Sequence, residues 1–214
     1  MPLKLQHLNG RSSAYASQVT SRALVEWNTS RRQKINLLWG VHPQLTGNPP
    51  TLWREHQALA IVIQRMATEF QGFARDLHDE CTDVFSAEVA AGNSAVENVL
   101  RERLTSDRAL SRGNAHSDGI SKDFGRLGMT FWPSMIAADS RANNWKKDLL
   151  KLVEMRNGVA HDDAAKLARL QREGYTLDAA SLQKWQTMLD DIATSMDDMT
   201  STYLSALLGI QRPW

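Results

Sequence analysis

The sequence predicts an all-α protein, an up-and-down helical bundle of four to five main helices with a long irregular insert at about residues 105–142. Three observations carry this expectation. Apolar residues recur at steps of three and four along most of the chain, and period-two alternation is scarce. The two longest periodic stretches, 52–89 and 178–208, each exceed the length of an ordinary strand several times over. The chain has 214 residues, of which 42% are apolar and 23% charged, enough for one buried core.

The elements follow in order. Residues 12–39 read as a first helix, rich in polar positions and ending at Gly40, followed by the proline-rich loop PQLTGNPPT. A long helix is expected from Leu52 to Val89. Its Leu59, Ile63, Met66, Phe70, Phe73, Leu77, Cys81 and Val84 share one face, and Arg65, Glu69, Arg75, Asp79 and Glu80 lie opposite. Ser94 stands three residues before Glu97, the spacing of a capping box, and opens a helix through Leu104. In 105–142 glycines and small polar residues leave only short helical pieces, near Phe124–Leu127 and Pro133–Ala138, in a surface excursion pinned by Phe124, Phe131 and Trp132. A helix then runs from Asn143 into the stretch EMRNGVAHDD, and 162–177 is a polar, partly helical link. Asp178 or Ser181 caps a last helix whose seam runs Leu182, Trp185, Leu189, Ile192, Met196, Met199, Tyr203, Ala206, Ile210. Its Asp190, Asp191, Asp197 and Asp198 read as a solvated face. Residues 1–50 are expected to form an N-terminal helical arm packed on a bundle of 51–214, the whole being one domain.

Composition excludes several classes. A net charge of +1 leaves no global field for nucleic acid, so any such partner must be held by a local patch. The lone Cys81 cannot build a disulfide framework or a cysteine-rich metal site in one chain. The N-terminus lacks the apolar run of a leader, and no run suffices to span a bilayer; the expectation is a cytoplasmic protein with no membrane partner. No P-loop, dinucleotide fingerprint or H-E-x-x-H occurs, and pairs such as His78-Asp79 lack metal-ligand spacing, so neither a metal nor a cofactor is expected.

The oddest stretch is 154–163. On an ideal helix Trp145, Leu149, Leu152, Val159 and Ala160 cluster on one side, and Arg156 projects among them. Asn157 and His161, four apart, share another face, and Arg156 and His161 point about 140° apart. Gly158, a poor helix former, lies between them, so either the helix loosens there, the arginine stem wraps around, or a second subunit completes a site. Spacing alone favours a plain reading: Arg156 and Asn157 finish a helix C-terminus, and His161-Asp162-Asp163 is a solvated turn.

R-N-G-V-A-H, Arg156 to His161, resembles the R-x4–6-H signature of the HEPN family, with the polar residue that usually follows the arginine. The lead-in LLKLVEMRNGVAHDD, the helix carrying EFQGFARDL, the stretch DFGRLGMTFWPSM and the closing helix each look like parts of prokaryotic HEPN proteins, so the resemblance extends over most of 52–210. It implies a helical bundle that homodimerises, bringing two motifs into one composite cleft. It also implies a metal-independent endoribonuclease, a toxin or phage-defence effector, with RNA as substrate and a cognate antitoxin protein as a possible partner. The alternatives are a non-catalytic RNA- or nucleotide-binding HEPN module and a structural dimerisation bundle.

The residues suit that chemistry. Attack of a 2′-hydroxyl on the adjacent phosphorus needs proton transfer at two oxygens and stabilisation of extra negative charge. His161 fits the acid/base role, Arg156 the phosphate, and Asn157 a positioning role. Between Arg101 and Arg156 there are eleven Lys/Arg against seven Asp/Glu. Arg126, Arg141, Lys146 and Lys147 are the expected RNA contacts, with Arg108, Arg112 and Lys122 as further basic positions. Trp132 and Trp145 are read as core first and as base-stacking platforms second. Glu69 and Asp76 are read as surface first and as facing the cleft second.

Overall fold

The computed structural model describes residues 20–46 and 51–214; the first turns expected for the N-terminal helix (12–19) and residues 47–50 of the proline-rich loop lie outside them. The described residues form an all-α bundle and contain no strand. The order is α1 (Arg22–Glu26), a π-helical turn (Trp27–Arg31), α2 (Arg32–Thr46), α3 (Leu52–Ala90), α4 (Ser94–Thr105), α5 (Ala109–Arg112), α6 (Ser117–Phe124), a 3-10 turn (Gly125–Leu127), α7 (Phe131–Ala138), α8 (Ala142–Ala160), α9 (Ala164–Arg172) and α10 (Ala179–Leu208). The central α3 packs against α1, α2, α4, α8 and α10. Its Ile63, Met66, Phe70, Phe73, Leu77 and Cys81 are buried, as their spacing predicts.

The first helical stretch does not stop at Gly40; it continues to Thr46 with Pro43 inside it. Trp27 and Ile35 are both fully buried in the common core, and Arg31 lies between them. In a pure α-helix, side chains eight apart would diverge by about 80°. The wider π turn removes much of that drift and keeps the four-residue ladder on α3. All four N-terminal amides of α1 are satisfied. Ser21 N–H donates to Asp197 (3.2 Å), Arg22 and Ala23 N–H to Glu80 (3.0 and 2.6 Å), and Leu24 N–H to the Ser21 hydroxyl (3.0 Å). Two carboxylates at a helix N-terminus also complement its dipole.

That arrangement corrects two expectations from the helical wheels. Asp197 is buried and does not belong to a solvated face. Glu69 is buried too: it accepts from Arg31 Nη1 at 3.0 Å and Arg65 Nη2 at 2.7 Å, and Asp76 also pairs with Arg31, so both are bound to the N-terminal helices. The α10 seam holds from Leu182 to Met196 and then shifts to Thr200 and Leu204, leaving Ala206 exposed. The helix keeps 3.6 residues per turn, so a 3.5-residue stripe rotates off the core. The capping box at Ser94 is displaced by one residue. Asn93 is the cap, its side chain accepting from Ala95 and Val96 N–H at 3.1 and 3.3 Å, and Ser94 is the first helical residue.

The insert is the largest correction. Residues 105–142 are a small packed unit of short helices and not an irregular excursion. Leu110, Ile120, Phe124, Phe131, Trp132 and Met135 join the main core. The four-residue α5 is held from outside: the buried Asp123 accepts from Ala109 and Leu110 N–H at 2.9 and 2.7 Å. His116 caps α6 by accepting from Gly119 N–H at 3.1 Å. Beneath lies His78, whose Nε2 donates to the Asp123 carbonyl (3.0 Å) while Arg108 approaches its Nδ1 (3.3 Å). Burial, and then the Arg108 charge, push the His78 pKa down, which keeps the ring neutral in this tautomer.

Candidate functional site at the end of α8

α8 runs without a break from Ala142 to Ala160, so Gly158 does not loosen it. Gly158 serves packing: a Cβ there would sit 2.8 Å from Leu167 Cδ2 on α9. The helix closes on a Schellman turn. Asp162 occupies the left-handed region (φ 50°), Asp162 N–H donates to the Val159 carbonyl at 3.3 Å, and Asp163 N–H reaches back to Gly158 at 2.8 Å. Asp163 then caps α9, accepting from Lys166 N–H at 3.0 Å, and the hydrogen bonds of Lys166 hold its carboxyl below the usual range. The plain reading of His161-Asp162-Asp163 as a turn therefore holds for the backbone. The turn is also a tight joint between two helices.

The side chains tell more. Arg156 is half-buried, and its Nη1 donates to Asn157 Oδ1 at 3.1 Å. Its Nε is buried without an acceptor among the described residues. Glu154 is engaged with Lys151 and Arg169 and Asp163 with Lys166, and Arg156 has no carboxylate partner among the described residues. Asn157 Oδ1 accepts a second bond, from Asn114 Nδ2 at 3.1 Å. His161 is the C-cap of α8; it is exposed, and its side chain makes no hydrogen bond among the described residues. Because α8 stays regular, Arg156 and His161 still project about 140° apart. Neither the bend nor the wrap considered from sequence occurs.

Asn114 lies 43 positions before Asn157 and was not singled out from the sequence. The only signal pointing to it was the polar, glycine-rich stretch in which it lies.

The expected RNA-contacting residues divide. Arg126 donates to the carbonyls of Arg103, Leu104, Ser106 and Asp107, which ties it to the C-terminal end of α4. Arg141 is bidentate to Asp139, reaches Asp191 at 3.2 Å and lies over the Trp145 ring at 4.7 Å. Lys146 and Lys147 make no ion pair among the described residues, and Lys147 is exposed. Lys146 is three turns before Asn157 on the same face, about 16 Å away along the axis. Arg108 is buried against His78 and Asp79, and Arg112 pairs with Asp107. Trp132 is core, its indole donating to the Ser117 carbonyl at 2.9 Å, and Trp145 is covered by Arg141. Neither presents a free stacking face. A groove of about 380 Å³ runs between Met155, α9 and Leu177, with His56 at its rim, and none of Arg156, Asn157 or His161 lines it.

No group of metal-ligating side chains and no helix able to cross a membrane is present among the described residues. The chain matches no protein-family model, no curated protein and no solved structure. Fold and site define it only as an all-α bundle with a donor-rich patch where α8 ends.

Proposed function

We propose that the protein is a metal-independent endoribonuclease of HEPN type that acts as a homodimer. It would serve as a toxin or phage-defence effector held in check by a cognate antitoxin. One observation carries the reading: Arg156, Asn157 and His161 lie at one helix end, and Arg156 has no carboxylate partner among the described residues. Burying an uncompensated guanidinium nitrogen is costly, so a site of this kind suits an oxyanion.

In the reaction His161 takes the proton of the 2′-hydroxyl. The 2′-oxygen bonds to phosphorus and the bond from phosphorus to the 5′-oxygen breaks. A second imidazole, His161 of another copy, gives a proton to that leaving oxygen. The products carry a 2′,3′-cyclic phosphate and a 5′-hydroxyl. Arg156 holds the charge that builds on the phosphate. The 140° divergence of Arg156 and His161 within one chain supports a site completed across a twofold axis.

A second reading, RNA or nucleotide binding without cleavage, is favoured by the internal pairing of Arg108, Arg126 and Arg141, which leaves a short basic track. Incubation with mixed RNA in EDTA separates the two. The ribonuclease yields cyclic-phosphate ends, and His161→Ala and Arg156→Ala each lower the rate at least a hundredfold. Tight binding with no cleavage establishes the second reading. Neither binding nor cleavage, or an obligate monomer, refutes the first.

A further inference from the structure

Asn157 Oδ1 sits between two donors, Arg156 Nη1 and Asn114 Nδ2, each at 3.1 Å. Arginine has no acceptor, so turning the Asn157 amide over would set NH2 against N–H on that side. The orientation is therefore fixed: oxygen inward, NH2 outward. No protein acceptor among the described residues takes that NH2 group, and it is not among the buried unpartnered atoms. Asn114 is itself well anchored. It precedes Ala115, buried at 2% exposure; its carbonyl accepts from His116 N–H at 2.8 Å; and His116 caps α6.

We infer that Asn114 is a positioning residue of the site: beside Arg156, which sets the way the Asn157 amide faces, it anchors that amide with its NH2 group toward a phosphodiester oxygen, so that the insert supplies part of the substrate-binding machinery. This rests on the ribonuclease reading for its substrate but not for its geometry. The insert thereby does more than cover the core. Through Asn114 it steadies the Asn157 amide, whose NH2 group, turned outward by Arg156, is offered to an anion. An acceptor there would repel phosphate, and a donor binds it.

The full chain is titrated with a single-stranded uridine oligonucleotide bearing 2′-O-methyl groups, which cannot undergo 2′-attack, and is assayed in parallel on unmodified RNA. Asn114→Ala, which leaves the Asn157 amide held by Arg156 alone, weakens binding roughly tenfold, the loss of about one hydrogen bond to a charged group. Asn114→Asp weakens it further at pH 7, because the new carboxylate draws the Asn157 NH2 inward and neutralises Arg156. Its deficit relative to the native chain shrinks as pH falls through the carboxylate range near about 4, where a protonated carboxyl donates again. A carboxylate there also repels the oligonucleotide by charge alone, so the recovery is read beside the uncharged Asn114→Ala variant, whose weakened binding at unchanged stability a merely structural role would not produce.

Native affinity in both variants at pH 7, or an Asn114→Asp deficit that ignores pH, overturns the inference. If the native chain neither binds nor cleaves RNA, the ribonuclease reading fails, and the side-chain amide resonances of Asn157 still decide the geometry. They move in both Asn114 variants and stay in place in Asn143→Ala. Unmoved resonances in the Asn114 variants overturn the inference.

Discussion

Gly72 lies in the middle of α3, where alanine would ordinarily stabilise a helix by about 1 kcal/mol. Here the opposite is expected. A Cβ at residue 72 would collide with Arg31 Nη1 and stand 2.8 Å from its Cζ, so the guanidinium must shift away. Its departure breaks the contacts with Glu69 (3.0 Å) and Asp76, in a place where the Arg31 and Glu69 side chains are only 11% and 5% exposed. Glu69 keeps Arg65 at 2.7 Å, so its charge is not stranded. Breaking a buried pair outright costs about 3–5 kcal/mol, and the retained partner sets the loss near the lower end. Subtracting the helix gain leaves Gly72→Ala destabilising by about 2 kcal/mol. Urea unfolding midpoints measure it, and the decisive comparison is the same change in an Arg31→Ala background. There the obstacle is gone, and Gly72→Ala stabilises by about 1 kcal/mol. Stabilisation in the native background, or the same sign in both, refutes the reasoning.

Asp162→Gly relieves a non-glycine residue at φ 50° in the Schellman turn and raises stability by about 0.5–1 kcal/mol, read as a rise of roughly 1–4 °C in the thermal midpoint. Asp197 has its pKa raised, chiefly by burial. A carboxyl that binds its proton more tightly when folded adds stability as pH falls from neutrality through its folded pKa toward its unfolded value near about 4. Subtracting the stability profile of Asp197→Asn from the native one therefore leaves a curve that climbs on acidification across that window; a flat difference contradicts it. His78, whose pKa is lowered, acts in the other direction, its contribution complete above about 6.5 and lost below, and that effect cancels in the subtraction. Cys81 is fully buried with its thiol pKa pushed far up by burial, so a thiol reagent modifies it only at the rate of unfolding and not in the native state.

The bundle itself was legible because periodicity is a local property. The α3 ladder from Leu59 to Cys81 and the Asp178 cap of α10 can be read without knowing any neighbour. What the sequence did not disclose depends on residues far apart in the chain. Asp123 caps α5 from another helix, and no window around Ala109 contains that information. Glu69 and Asp197 look like surface acids on a wheel, and only Arg31 and the α1 amides, brought in by the fold, explain their burial. The site shows the same division. Arg156, Asn157 and His161 are a contiguous motif and could be found. Asn114 could not, because its tie to Asn157 spans 43 positions.

The insert has a further consequence for local unfolding. Its helices are short, four residues in α5 and eight in each of α6 and α7, so none persists alone in water. They exist only while docked on α3, α8 and α10, and the expectation is that they open together as one cooperative patch. When that patch opens, Asn114 leaves Asn157 while α8, with Arg156 and His161 on it, stays folded in the bundle. The arrangement of donors at the end of α8 is thus less stable than the helix that displays it. Hydrogen exchange should find it lost, and restored, in openings too small to unfold the protein.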